Sequence, residues 1–305
     1  MDIFAALWPV FALLFLGVLI NRIQFVDHTF WNGAEKIIYY LCFPALLVTR
    51  LVAADFNGSE SFVLIEAVLL LLASGSLFLI VLQKLLKLRS ASFTSVYQGG
   101  LRFNTYITLA IAASLIPGEG LVIAAIIASV MIPLLNLLCV LVFALYSDKR
   151  PSILTVLKQI SSNPLILACL MGLALNLSDL GIPVLVTPVL DLLAQVALPL
   201  GLLAVGAGIN LKAMRSSGVP LMMGVATRLI VMPLFGLVIG SMLQLSPEAL
   251  LIFMVFASVP TASAAYILAK QLNGDAPLVA NIISAQTLLS MLTLPVALSL
   301  PGLML

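Results

Sequence analysis

The sequence predicts an all-α integral membrane protein of ten transmembrane helices, built as two five-helix repeats of opposite orientation in which the fourth and ninth helices are broken. Three observations predict it. Of the 305 residues, 63% are hydrophobic and only 9% charged, with a mean hydropathy of +1.24, whereas roughly a quarter of the residues in a soluble domain are charged. Basic residues fall on alternate connections between the apolar runs. A pattern of prolines, glycines and asparagines in the first half returns in the second.

The first apolar run, Ile3 to Asn21, is long enough to span a bilayer. It has no basic segment before it and no small-residue cleavage pattern after it, so a retained first helix is expected, not a signal peptide. Runs of roughly 20 residues, the length a bilayer core needs, come next at Lys36 to Val52, Ser61 to Gln83, Phe93 to Ile116 and Leu121 to Tyr146. They resume at Asn163 to Leu177, Val186 to Leu211, Gly218 to Leu243, Ala249 to Ala269 and Ala276 to Leu300. Between residues 146 and 163 the linker 147–162 sets Ile153, Leu154, Val156, Leu157 and Ile160 among polar residues at helical spacing. It reads as a cytoplasmic interfacial helix joining repeats 1–146 and 163–305. Cys42, Cys139 and Cys169 stand singly in apolar runs, as small core residues with no disulfide or metal framework.

Orientation comes from charge. Arg22 and Lys36, Lys84, Lys87 and Arg89, Lys149, Arg150 and Lys158, Lys212 and Arg215, and Lys270 all fall on odd-numbered connections, while the even ones and the termini offer only Arg50. By the positive-inside rule the odd connections are cytoplasmic and both termini extracytoplasmic. A net charge of +2 carries no signature of a nucleic-acid partner.

The repeat is read from offsets. Trp8-Pro9 matches Asn163-Pro164 at 155 residues, Gly17 and Asn21 fall on Gly172 and Asn176, and Pro44 falls on Pro199. The segment Arg102 to Thr108 lands near Pro260 to Ser263 after a small drift, and Pro133 and Pro295 end the series at an offset of 162. Five helices per repeat is an odd number, so the second repeat is upside down relative to the first. Carriers of that architecture hold their substrate near the midplane at the repeat interface.

The polar residues inside the spans are few. Pro260 lacks an N–H and clashes with the carbonyl four residues back, so the ninth helix should break there, with Thr261, Ser263 and Tyr266 offering hydroxyls to the freed backbone. Of the charged residues, Glu66, Arg102 and Arg228 lie within spans, where such residues are functional candidates. At 1.5 Å per residue, Glu66 is about 8 Å from the outer end of its span, and each arginine roughly 13 to 15 Å from a cytoplasmic end. A substrate carboxylate would compensate the arginines. Alternatively Arg102 caps carbonyls of a broken fourth helix, and Arg228 snorkels or binds backbone carbonyls of a neighbour. Asn104, Thr105, Thr108, Thr261 and Ser263, with Pro260 and Ala262 completing the ninth-helix break, would bind an anion beside half-helix N-termini. The hydroxyls could instead bond back to their own helices. Glu66 is the candidate for proton coupling, although its shallow depth makes it a poor carrier. Gln286, Thr287, Ser290, Asn136 and Asn210 read as interhelical glue, and Gly201, Gly206 and Gly208 as close-packing positions. The single histidine, His28, lies in a cytoplasmic loop, so no histidine triad or metal helix can form within the membrane; neither enzyme activity nor a cofactor is expected.

Val259 to Ala269, with Gly274-Asp275 after it, then Ser284 to Pro295, resembles the end of the auxin efflux carrier family, whose plant branch is the PIN proteins. Pro199 to Gly206 is similar to that family's seventh-helix pattern, and Arg102 to Thr105 to its fourth. One departure is the absence of glycine and proline from Tyr106 to Ile111, where the family carries them. The resemblance covers the whole chain. It implies a scaffold of helices 1, 2, 6 and 7, often dimeric, and a transport domain of helices 3–5 and 8–10 in which helices 4 and 9 cross and which moves as an elevator. The implied substrates are small organic anions, mono- or dicarboxylates, with auxin, malate and malonate as family examples. The short linker fits a carrier of a bacterial inner membrane. An anion channel or membrane-embedded ligand sensor could use the same crossed helices.

Overall fold

The computed structural model describes residues 3–54, 59–146, 161–178, 180–209 and 218–304; the expected interfacial helix and Asn210 lie outside them. Among the described residues every regular element is helical. Among the described residues six helices are long and apolar enough to cross a membrane: Ile3–Arg22, Glu60–Leu86, Glu119–Tyr146, Thr187–Ala207, Gly218–Met242 and Ala276–Ser299. The protein is therefore an all-helical, multi-pass membrane protein.

In chain order, α1 is Ile3–Arg22. Then α2 is His28–Ile37, whose first turn is capped by the Asp27 carboxylate accepting from the Phe30 N–H. A π-helical turn, Ile38–Cys42, leads without a break into α3, Phe43–Val52. Next come α4, Ser59–Leu86, α5, Ser90–Leu101, α6, Thr105–Leu115, and α7, Glu119–Tyr146. The second half holds α8, Pro164–Leu177, α9, Thr187–Ala207, and α10, Gly218–Ala226, the last running through a π turn, Thr227–Val231, into α11, Met232–Met242. It ends with α12, Pro247–Ser258, α13, Ala264–Gln271, α14, Ala276–Ser299, and the short α15, Pro301–Met304. Both π turns stop one residue before the residue that precedes a proline, Pro44 and Pro233. A proline inside a helix removes one i→i−4 bond and crowds the carbonyl there, and a turn of i→i+5 spacing just before it gives the backbone a way to accommodate that.

Two seams recur with the spacing read from the sequence. The Asn21 side-chain amide of α1 donates to Ala207 O at the end of α9 (2.9 Å), and that of Asn176 in α8 donates to Val52 O at the end of α3 (3.0 Å). Donor and acceptor are both shifted by 155 residues, Asn21 to Asn176 and Val52 to Ala207. In the same register Gly17 packs on the Leu203 backbone and Gly172 on Val48, so close that a Cβ at either would press on its neighbour. Gly206 sits equally tightly on the Leu14 carbonyl, as the close-packing reading requires, whereas Gly208 meets no other element.

At the centre lies α12. Ile252 through Ala257 are all 0% exposed, so this helix meets protein on every side, as its all-round apolar sequence demands.

Candidate functional site: the crossing of two broken helices

The fourth and ninth apolar runs are each interrupted, and the interruptions meet. Residues 102–104 separate α5 from α6, and residues 259–263 separate α12 from α13. The Asn104 N–H donates to Pro260 O across the crossing (2.8 Å). The second break arises at Pro260, as the sequence predicts. The first has no proline, and the site itself stabilises it. Arg102 leaves the helix with ψ 148°, and the Asn104 side-chain oxygen then starts α6 by accepting from the N–H groups of Tyr106 (3.0 Å) and Ile107 (3.2 Å). The departure from the family pattern at Tyr106 to Ile111 thus leaves the break intact.

Neutral amides join the remaining backbone ends. Gln286 of α14, 0% exposed, accepts from the Thr261 N–H (2.8 Å) and donates to Gly99 O (2.7 Å) and Gly224 O (2.9 Å), tying the ninth-run break to α5 and α10. The Thr261 hydroxyl donates to Gln98 O (3.4 Å). This is the glue role expected of Gln286. Thr287 and Ser290 bond only within α14, to Ile283 O and Thr287 O.

The two arginines play different parts. Arg228, in the π turn after α10, is 0% exposed. Its Nε donates to Val259 O (2.6 Å), one terminal nitrogen donates to Leu101 O (3.3 Å) and the other to Phe256 O. It closes the C-terminal ends of α5 and α12, the carbonyl-binding alternative read from the sequence. Arg102 does not cap. One terminal nitrogen donates to Asn136 Oδ1 of α7 (2.6 Å), while its Nε is buried with no hydrogen-bond partner. An acid is not its counterpart here; the α7 amide is, a partner the sequence placed among the packing residues. Tyr39, in the π turn before α3, lies within electrostatic reach of Arg102 and beside Asn163.

Of the other expected site residues, Asn104 is 2% exposed, Thr105 is largely buried, and Thr108 is fully buried with its hydroxyl donating back to Asn104 O (2.8 Å). Pro260 and Thr261 are buried, while Ala262 and Ser263 are half-buried. Ser263 starts α13 without a side-chain capping bond. Tyr266 points outward and does not serve the break. Glu66 lies on the exposed face of α4 with Phe62, Leu69 and Leu70, away from the crossing. Sequence reasoning missed Gln98, whose carboxamide is buried one turn before Arg102 with neither polar atom bonded. The signal was a glutamine inside an apolar run. A cavity of about 380 Å³ lies elsewhere, lined by Asn21, Trp31, Asn32, Glu35 and the end of α9. Among the described residues no cluster of metal-ligating side chains is present.

A multi-pass helical protein whose two broken helices meet at a buried polar centre has the architecture of a membrane transporter. Residues 149–298 match the model of a family described as "Membrane transport protein". Over 288 residues the chain is 23% identical to an "Uncharacterized transporter" of Methanothermobacter thermautotrophicus, covering 94% of each protein. Both matches are to membrane transporters, the class toward which the motifs of the fourth, seventh, ninth and tenth runs point.

Proposed function

We propose that this protein is a secondary carrier of a small organic anion, a mono- or dicarboxylate, which it binds where α6 and α13 begin. The observation that carries this reading is the unpaired, buried Nε of Arg102, two residues before the cap of α6. A cation next to the start of α6, at a crossing that also holds the start of α13, would add its charge to the positive helix ends. The Asn104 amide and the hydroxyls of Thr105 and Ser263 supply neutral donors, while Thr261, both of whose donors are engaged, shapes the break. Arg228 acts from behind the site, holding the helix ends that shape it. The seams repeated at 155 residues support ten membrane-crossing segments in two inverted repeats, with α1–α3, α8 and α9 as a dimeric scaffold. The remaining helices then move as the elevator's transport domain. The clean split of basic residues supports extracytoplasmic termini in a bacterial inner membrane.

A thermal-shift screen of purified protein against mono- and dicarboxylates tests this, because a ligand stabilises by RT ln(1 + [L]/Kd). We expect one class of carboxylate to raise the melting temperature of the wild type and not of Asn104→Ala. Counterflow of the labelled acid in proteoliposomes is then expected, and it would separate a carrier from a channel or sensor. Stabilisation by neutral or cationic compounds alone would defeat the anion reading.

A further inference from the structure

The crossing has a negative side as well as a positive one. Where α6 and α13 begin, N–H groups are offered; where α5 and α12 end, carbonyls are. Each helix C-terminus carries the equivalent of roughly half a negative charge, so the pair attracts about one unit of positive charge. Carriers with crossed half-helices commonly coordinate Na⁺ or H⁺ with such ends.

In this protein the position is already filled. All three nitrogens of Arg228 donate to backbone oxygens at these two ends: Leu101 O closing α5, and Phe256 O and Val259 O closing α12. The side chain is completely buried, and among the described residues none of its hydrogen bonds goes to a carboxylate. A guanidinium suits the task because its planar fork presents donors in several directions at once and its charge is permanent. The π turn Thr227–Val231 places it there, and Thr227 packs against Gly100 of α5 in the same layer.

We propose that Arg228 is a resident counter-cation. A tethered guanidinium takes the place that a Na⁺ or K⁺ would occupy between the ends of α5 and α12, so the fold needs no bound monovalent metal cation. On the carrier reading above, transport then proceeds without co-transport of such an ion. Two neutral groups near these ends, the Gln98 carboxamide and the Ser258 hydroxyl, are buried and unbonded, and they define the rival outcome, a cation held beside Arg228.

The test uses the purified full chain without substrate, melted in NaCl, KCl and choline chloride at equal ionic strength. Wild type should melt at the same temperature in all three. Arg228→Ala should melt on the order of 10 °C lower in choline, the scale for breaking one buried charge network, and should recover part of that loss in low-millimolar guanidinium. A saturable rise of the wild-type melting temperature in Na⁺ or K⁺ over choline would overturn the proposal. So would an Arg228→Ala protein as stable as wild type in choline. Where that variant yields no folded protein, the wild-type comparison decides. The carboxylate screen is a separate experiment, so either reading can fail while the other stands.

Discussion

Replacing Gln286 by leucine isolates what holds the crossing together. Leucine keeps much of the volume and removes all three hydrogen bonds, to Thr261 N, Gly99 O and Gly224 O. The site is 0% exposed, so water cannot replace them. A buried polar group left unsatisfied costs about 1–3 kcal/mol. The Thr261 N–H lies in a helix break and has no intrahelical carbonyl to turn to, so it should bear the full cost. The two carbonyls lie within or near helices and should bear less. The expected loss is roughly 3–5 kcal/mol on this count, or on the order of 10 °C in melting temperature. Tryptophan-fluorescence melts of the detergent-purified protein would read it. Thr287→Val, which removes only a bond to Ile283 O in the same helix, is the matched control and should cost under about 1 kcal/mol. If Gln286→Leu melted within a degree or two of that control, the crossing would not depend on this amide, and the account of how the ninth-run break is stabilised would be wrong.

The same geometry sets the outcome of other substitutions. Asn104→Asp keeps the oxygen that accepts from Tyr106 and Ile107, so melting should change little, while a negative charge at the proposed anion site should abolish any carboxylate-induced shift; a retained shift would move the site elsewhere. Gly206→Ala would drive a Cβ into the Leu14 carbonyl, at a cost of roughly 1–3 kcal/mol in the α1–α9 seam. By contrast Gly33→Ala in α2 meets nothing within 4 Å and should stabilise by about 0.5–1 kcal/mol. Melting curves of the pair would show opposite signs, and equal signs would contradict the packing described for the seam.

Much of the fold was legible because membrane helices announce themselves by length and apolarity, and because Pro260, unlike the prolines set in all-apolar runs, stands among hydroxyl residues that can serve a broken backbone. The equal spacing of Asn21 with Asn176 and of Gly17 with Gly172 was legible as well, and it became two matching seams. The first break was harder to read. Nothing between Arg102 and Asn104 forbids a helix. The interruption exists because Asn104 caps the start of α6 while Arg228, 126 residues beyond Arg102, holds the end of α5. Gln98 escaped notice because a single amide in a span resembles ordinary packing polarity until its lack of partners is seen.

By itself the sequence determined that the chain is a helical, multi-pass membrane protein of the transport class, that its ninth apolar run breaks at Pro260, and that Arg102 and Arg228 lie inside apolar runs. These are local properties, set by transfer of side chains into lipid and by the missing N–H of proline. The division of labour between the two arginines was decided only by the tertiary structure. Both face the same cost of burying a charge, and which one finds carbonyls and which finds an amide depends on the elements brought alongside. Arg228 reaches the carbonyl ends of two half-helices and is satisfied, while Arg102 meets Asn136 and keeps one donor unused. Burial makes partners obligatory, but only the packing of distant segments supplies them.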